Sequence, residues 1–165
     1  MNTRLLWLLV LAAGLVVSCA GYRFAGEDYS VLEPKFRDLA LVDVSNPSTY
    51  TWLGPRLRSL VRDELTRRNV VRWTDKAKAQ SHLYVEVKRY HRKAAVTGTY
   101  DQTLKLDATL VMQARIFSAA DGSVLWDSRE ISITRSYFPG EEQAVDDLVA
   151  DLAVRSLADR MSERY

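Results

Sequence analysis

Cysteine and histidine are scarce in this chain of 165 residues, which contains one cysteine and two histidines. A single cysteine cannot form an intramolecular disulfide, so the stability of the fold must come from a hydrophobic core. Neither His82 nor His91 has cysteine or acidic companions at metal-ligand spacing, which favours surface or strand-end histidines. Gly98 stands alone and forms no phosphate-binding glycine loop, and a Gly-x-Ser-x-Gly nucleophile elbow is absent. The sequence therefore predicts a protein that is not an enzyme and that uses no metal or cofactor.

A strong excess of charge of one sign is also absent. The chain has 23 Lys and Arg residues against 21 Asp and Glu residues, which gives a formal net charge of +2. A nucleic-acid-binding domain shows a broad basic excess, so this near balance argues against nucleic acid as a partner. Any anion binding must therefore be local.

Long hydrophobic runs are limited to one, from Leu5 to Val17, which follows the positive side chain of Arg4. A short basic region followed by about 7–15 apolar residues is the layout of a secretory signal peptide. The run is too short for a membrane-spanning helix, which needs about 20 apolar residues. Cys19 comes directly after it, in the stretch LVVSCAGY. This stretch resembles the lipobox of bacterial lipoproteins, in which the cysteine becomes the acylated N-terminus.

The lipobox resemblance implies that residues 1–18 are removed as a signal peptide and that Cys19 carries the acyl chains. Acyl chains contribute about 0.8 kcal/mol per buried CH₂ and hold a protein on a bilayer without a transmembrane helix. Ala20 stands where an aspartate would signal retention in the inner membrane, so the resemblance implies the outer membrane. An uncleaved N-terminal anchor and an ordinary buried cysteine are the alternatives.

The rest of the chain is predicted to form one domain. Residues 19–36 are expected to be a tether and entry segment, because glycines and Pro34 interrupt regular structure there. Residues 37–165 are expected to be a single α/β domain. The apolar run LALVDV predicts a buried strand, and the stripe of apolar residues that follows predicts a helix from about Thr51 to Arg68.

Alternating apolar and polar residues predict the remaining strands. Two long strands are expected within residues 81–93 and 104–117, a hairpin turn at Ala120-Asp121-Gly122, and a further strand over residues 123–138. After Gly140 the period changes to that of a helix. We expect an α+β fold, a two-layer sandwich in which a mixed, roughly four-stranded sheet has two helices packed on one face, in the order β-α-β-β-β-α.

A local basic cluster follows the first of the long strands, in the segment KRYHRK. Alternation would send Arg89 and His91 to one face of the sheet and Lys88 and Arg92 to the other, with Lys93 at the loop. The cations of this cluster suit phosphate groups, since each contributes about 1 kcal/mol near an anionic lipid surface. The other interpretation is a solvated strand end whose charges block edge pairing.

Taken in order, these segments resemble the LptE family of outer-membrane lipoproteins over essentially the whole mature chain. The resemblance begins with Cys19 followed by GYRF, and with LALVDVSNPSTY leading into the amphipathic helix. It continues through VEVKRYHRK, LDATLVMQARIFSAADGSVLWDS and a C-terminal helix.

The LptE resemblance implies a non-catalytic lipoprotein that plugs and helps to assemble the LptD β-barrel. It implies a 1:1 complex with that barrel, a position on the periplasmic side within the barrel lumen, and a part in lipopolysaccharide transport to the outer leaflet. The alternative function is a subunit or activator of another cell-envelope complex, for example a peptidoglycan synthase. A periplasmic enzyme is a further class, and a phenotype that depends on His82 or His91 would indicate it.

Site residues follow from the same resemblance. The loop that contains Gly98 and Tyr100 is expected to contact the barrel or lipid, and Cys19 is expected to carry the anchor. Contacts to lipopolysaccharide phosphates are expected from the four permanent cations of the basic cluster, Lys88, Arg89, Arg92 and Lys93.

Overall fold

The computed structural model describes residues 30–98 and 103–162, which form a β-sheet and two helices. A 3-10 turn at Pro34–Phe36 precedes the first strand. In chain order the elements are β1 (Asp38–Ser45), α1 (Leu53–Arg67), β2 (Arg72–Trp73), β3 (Ser81–Thr97), β4 (Thr103–Ser118), β5 (Val124–Asp127), β6 (Ile131–Tyr137) and α2 (Glu142–Ser162). The predicted α+β class is confirmed.

The sheet has six strands, whereas roughly four were predicted. Its order is β2-β1-β3-β4-β5, and β6 pairs with β4 on the same side as β5. β1 is parallel to β2 and β3, whereas the pairs made by β4 are antiparallel, so the sheet is mixed as predicted. The prediction undercounted because β2 is only two residues long and because the strand expected over residues 123–138 is two strands.

Hydrogen bonds around Ser128 divide β5 from β6. The side chain of Asp127 accepts a hydrogen bond from the backbone N–H of Arg129 at 2.7 Å, and Arg129 adopts a left-handed φ of 59°. Ser128 Oγ accepts the backbone N–H of Ala114 at 2.9 Å, in place of a strand partner. These bonds end β5 and start β6 where the sequence pattern predicted one continuous strand.

The end of α1 is fixed by Asn69. Asn69 has a φ of 54°, a left-handed conformation that asparagine adopts more readily than most residues. The N–H of Val70 then reaches back to the carbonyl of Leu65 at 3.2 Å, which satisfies a carbonyl at the helix terminus.

Both helices cover the same face of the sheet. The apolar residues of α1, α2 and the strands form one buried cluster, which includes Leu57, Val61, Leu65, Leu83, Val85, Leu110, Met112, Ile116, Val149 and Leu157. Side chains that alternate with these along β3 and β4, such as Tyr84, Glu86 and Gln113, lie on the opposite face, which we call the open face. Among the described residues, no helix packs on the open face.

The buried side of α2 differs in part from the predicted one. The helical spacing of large apolar residues in α2 would place Leu148 in the core, but its side chain is 45% exposed. Small residues take the central positions instead, since Ala150, Ala153 and Ala158 are fully buried. Alanines let the axis of α2 approach the sheet and α1 closely. A prediction based on large apolar residues therefore places the buried face of α2 part of a turn away from its actual position.

Replacing Leu157 by alanine should destabilise the fold by about 2–5 kcal/mol, because Leu157 is fully buried and the change leaves a cavity. Leu148→Ala is the matched control and should change the free energy of unfolding by less than about 0.5 kcal/mol. Urea unfolding followed by circular dichroism measures both. Equal effects of the two substitutions would contradict this orientation of α2.

Candidate functional site

A bulge in β3 decides which way the basic cluster points. Val87 pairs with Met112, but Arg89 pairs with the adjacent Val111, so Lys88 is an extra residue in β3. The bulge shifts the alternation by one residue. Odd-numbered residues up to Val87 face the helices, and even-numbered residues do so from Tyr90 to Ala94, where a second bulge follows.

Arg92 therefore points toward the helices. Its guanidinium forms a salt bridge with Asp146 in the first turns of α2, and the hydroxyl of Tyr90 donates to the same carboxylate. The Arg92 Nε also donates to Asp146 Oδ1 at 3.2 Å, and the guanidinium lies 5.3 Å from the centre of the Tyr50 ring. Asp146 and Tyr90 are buried. The charge of Arg92 is thus compensated within the protein.

Burial and the charges of this group shift the pKa values of its members. Burial and then the hydrogen bond to Asp146 raise the pKa of Tyr90 above its usual value, which keeps the hydroxyl a donor. Burial opposes the charge on Arg92, but the hydrogen bonds to Asp146 and Tyr90 outweigh it and raise the pKa of Arg92. The group joins β3 to the N-terminal part of α2.

Lys88, the bulge residue, is also paired. Its Nζ lies 2.7 Å from Glu86 Oε2, and Arg115 approaches the same oxygen at 3.4 Å. The hydrogen bond from Lys88 is the main cause that lowers the pKa of Glu86. Lys88 is therefore part of an ionic network at the surface.

The remaining cations lie together on the open face. Arg89, His91 and Lys93 alternate along β3, and Lys105 lies on the same face of β4, where it pairs with Val96. We call these four residues the basic strip. Arg89 and Lys93 have no salt-bridge partner among residues 30–98 and 103–162. They lie about 13 Å apart along the strand at 3.3 Å per residue.

His91 lies between these two cations. Burial, followed by the charges of Lys93 and Arg89, lowers the pKa of His91. These effects favour the neutral ring, and its buried Nδ1 has no hydrogen-bond partner in the described structure. An anion at this position would offset the two neighbouring charges and favour protonation of the ring.

Hydroxyl groups flank the basic strip on the neighbouring strands. Thr109 on β4 and Thr134 on β6 are hydrogen-bonded through their hydroxyls at 2.9 Å, and Ser136 donates to Asp107 at 2.6 Å. The open face at this end of the sheet thus combines cations with hydroxyls, a surface suited to phosphates and to other polar oxygens.

A concavity of about 560 Å³ lies on the same face, toward the start of β3. Its walls include Asp43, His82, Glu86 and Arg115, and its floor includes the rings of Tyr84 and Phe117, which meet edge to face at 5.6 Å. Most charged groups here are already paired with each other, so the concavity lacks the uncompensated charge of the basic strip.

Some predicted site residues have a clear place and others do not. Gly98 directly follows β3, as expected for a loop position, whereas Cys19 and Tyr100 lie outside the described residues. Of the four predicted cations, the fold brings Arg89 and Lys93 together on the open face and pairs the other two with acidic residues. Lys105 was missed, although the alternation in LKLDATL, combined with the hairpin register, would have found it.

Two further features concern metal binding and membrane crossing. Among the described residues, no group of three or more His, Cys, Asp or Glu side chains is arranged to hold a metal ion. In the same part of the chain, none of the helices has the length and apolar character needed to cross a membrane.

The sequence matches the model of one protein family. The LptE family, described as lipopolysaccharide-assembly, matches residues 36–164. The match includes both helices and all six strands. No curated protein sequence matches the chain.

Solved structures of bacterial proteins, two of them lipoproteins, share the fold. Uncharacterised lipoprotein B from Nitrosomonas europaea has a TM-score of 0.61 at 13% identity, over 86% of this chain and 90% of that one. PelC from Paraburkholderia phytofirmans, solved as a dodecamer, has a TM-score of 0.57 at 16% identity, over 81% and 95%. A minor lipoprotein from Acinetobacter baumannii has a TM-score of 0.53 at 16% identity, over 77% and 91%. At these identities the likeness shows the fold alone.

Replacing Arg92 by alanine should destabilise the fold by roughly 3 kcal/mol, because it leaves the buried Asp146 carboxylate without its cation. Breaking a buried salt bridge costs about 3–5 kcal/mol, and we expect the lower value because the Arg92 side chain is 24% exposed. Lys93→Ala, one residue away on the open face, should change the free energy of unfolding by less than about 0.5 kcal/mol. Chemical denaturation at pH 7 measures both variants, and an Arg92→Ala protein as stable as Lys93→Ala would refute the structural role.

Proposed function

We propose that this chain, which belongs to the LptE family of lipopolysaccharide-assembly proteins, plugs and helps to assemble an LptD-type β-barrel. In this role it contacts lipopolysaccharide on its way to the outer leaflet and acts without catalysis. The observation that carries the proposal is the pair of cations Arg89 and Lys93 on a sheet face that no described helix covers. Neither forms a salt bridge with a described residue, although Asp107 lies opposite Lys93 on β4.

Phosphates of lipopolysaccharide are the anions that this surface would meet. An exposed ion pair contributes little, but a cation without an internal partner gives its full attraction to an incoming phosphate. Arg89 offers a planar fork to phosphate oxygens and Lys93 a point charge. Lys88 would join them by exchanging Glu86 for the ligand, whereas Arg92 supports the surface by fixing β3 to α2.

The anchor and the location belong to the same proposal. Residues 1–18 serve as the signal peptide, and Cys19 carries the acyl chains that hold the mature protein on the periplasmic side of the outer membrane. The loop that contains Gly98 and Tyr100, at the far end of the β3–β4 hairpin, contacts the barrel or lipid. A small domain that has its own hydrophobic core and a polar open face is suited to the water-filled interior of a barrel.

A detergent pull-down from outer membranes with a C-terminal tag tests the partner. We expect a large β-barrel protein of the LptD type to co-purify in an equal amount. Cys19→Ser is the control for the anchor, and it should remove the protein from the membrane fraction because the acylated thiol is lost. Recovery of a peptidoglycan synthase instead of a barrel would favour the alternative function of an envelope activator.

Reversing the charges of Arg89 and Lys93 tests whether these residues bind lipopolysaccharide. Arg89→Glu combined with Lys93→Glu should weaken binding to lipopolysaccharide about 30-fold, since each lost cation contributes about 1 kcal/mol near an anionic surface. Lys76→Glu with Lys78→Glu makes the same change in net charge at exposed positions away from the basic strip. Binding to immobilised lipopolysaccharide measures both. Equal affinities for the two double variants would contradict the assignment of the strip.

A further inference from the structure

The outer edge of β3 beyond residue 90 has no strand beside it among the residues that the structure describes. β1 pairs with β3 only from Leu39 opposite Ser81 to Ser45 opposite Glu86. From residue 91 to Thr97, β3 pairs with β4 on one side, and its other side makes no backbone hydrogen bond to any described residue. We call this stretch the free edge.

The direction of the backbone groups along the free edge follows from β4. The N–H and the C=O of Ala114 both bond to Ser128, at 2.9 Å each, so they point away from β3. Direction alternates along a strand, and β4 runs without a bulge from Leu106 to Met112. The partners of Val111, Thr109 and Asp107 on β3 therefore point toward β4.

Those partners are Arg89, His91 and Lys93. The residues that alternate with them, Arg92 and Ala94, consequently direct their N–H and C=O groups outward along the free edge. Bulges at both ends, after Val87 and after Ala94, limit the regular part of the edge to a short stretch. A chain segment of matching length would find a regular row of donors and acceptors.

Charges along the free edge decide which strand it accepts. A second copy of this chain would bring Arg89, Arg92 and Lys93 against the same cations, which is unfavourable between paired strands. An acidic segment would meet Arg89 and Lys93 on the open face, where neither has a salt-bridge partner among the described residues. Beyond Lys93, the exposed residues 94–97 carry neither charge nor proline, so nothing there prevents pairing.

We propose that the free edge of β3 binds an extended acidic segment of the partner barrel protein as an additional β-strand. The proposal rests on the proposed function, because it supplies the partner. A closed barrel has no free strand edge of its own, so the segment comes from a loop or terminus of that protein. Its side chains alternate, with acidic residues beside Arg89 and Lys93 and uncharged residues on the other face. Lipopolysaccharide phosphates then reach the same two cations by displacing these acidic side chains.

Residue-resolved hydrogen exchange tests the added strand in the complex isolated from outer membranes, compared with the free full-length chain. In the free chain the amides of His91 and Lys93 exchange slowly, because β4 binds them, and those of Arg92 and Ala94 exchange fast. In the complex we expect the amides of Arg92 and Ala94 to slow at least about tenfold. The amide of Ser132 on the outer edge of β6, which also points outward by the same alternation, should not change.

Each other result overturns the proposal in a distinct way. Fast exchange at Arg92 and Ala94 in a complex that contains the barrel rejects the added strand and leaves the plug function intact. Equal slowing at Ser132 indicates general enclosure of the domain instead of strand pairing. Slowing in the free chain that increases with concentration indicates a second copy as the occupant. Absence of any barrel rejects the proposed function together with its partner strand.

A proline variant provides the second measurement. Ala94→Pro removes one outward N–H and leaves the pairing with β4 in place, as is tolerated at an edge. It should reduce the barrel recovered after stringent washing, whereas Ser132→Pro on the opposite edge should not. Circular dichroism verifies that both variants are folded. Equal recovery with the two variants would oppose the added strand.

Discussion

The antiparallel pairing of β3 with β4 supports the other strands of the sheet. β3 has 17 residues and β4 has 16, and β1 joins the first of them while β5 and β6 join the second. The two strands also present apolar residues to both helices along their shared length. Because this ladder is longer than β1, its second half has β6 on one side and no described strand on the other. The open basic surface and the unpaired backbone edge are both consequences of that difference in length.

A buried carboxylate fixes the position of α2 on this ladder. Asp146 lies at the start of the helix, where the helix dipole favours a negative charge, and it receives hydrogen bonds from Tyr90 and Arg92 on β3. The edge-to-face contacts of Tyr50 and Trp52 with the ring of Tyr90 enclose the group from the α1 side. An ionic contact and an aromatic cluster thus connect β3, α2 and the start of α1 on the face opposite to the basic strip.

The sequence pattern was sufficient for the class of fold and for both long strands, because alternation and helical period depend only on local spacing. It was insufficient where a partner in space decides the outcome. The bulge at Lys88 arises because β3 has one residue more than β4 between the pairs Val87–Met112 and Arg89–Val111. The sequence of β3 alone does not contain this information, because it depends on the register with β4. The same bulge explains why Arg92 pairs with a helix residue 54 positions away. Lys105 joins the strip only through the hairpin register, and the exposed Leu148 reflects how closely alanines allow α2 to approach.

The described chain begins beside the far end of α2, where the N–H of Val31 donates to the carbonyl of Met161 at 2.8 Å. Leu32 is buried in the core next to this bond. Any tension applied through the residues before Ser30 therefore acts first on the last turn of α2 and on the start of β1. The hairpin end, with Gly98, lies at the other end of the sheet. A pull on the N-terminal segment would thus act at the end of the domain opposite to the hairpin that we propose as a contact surface.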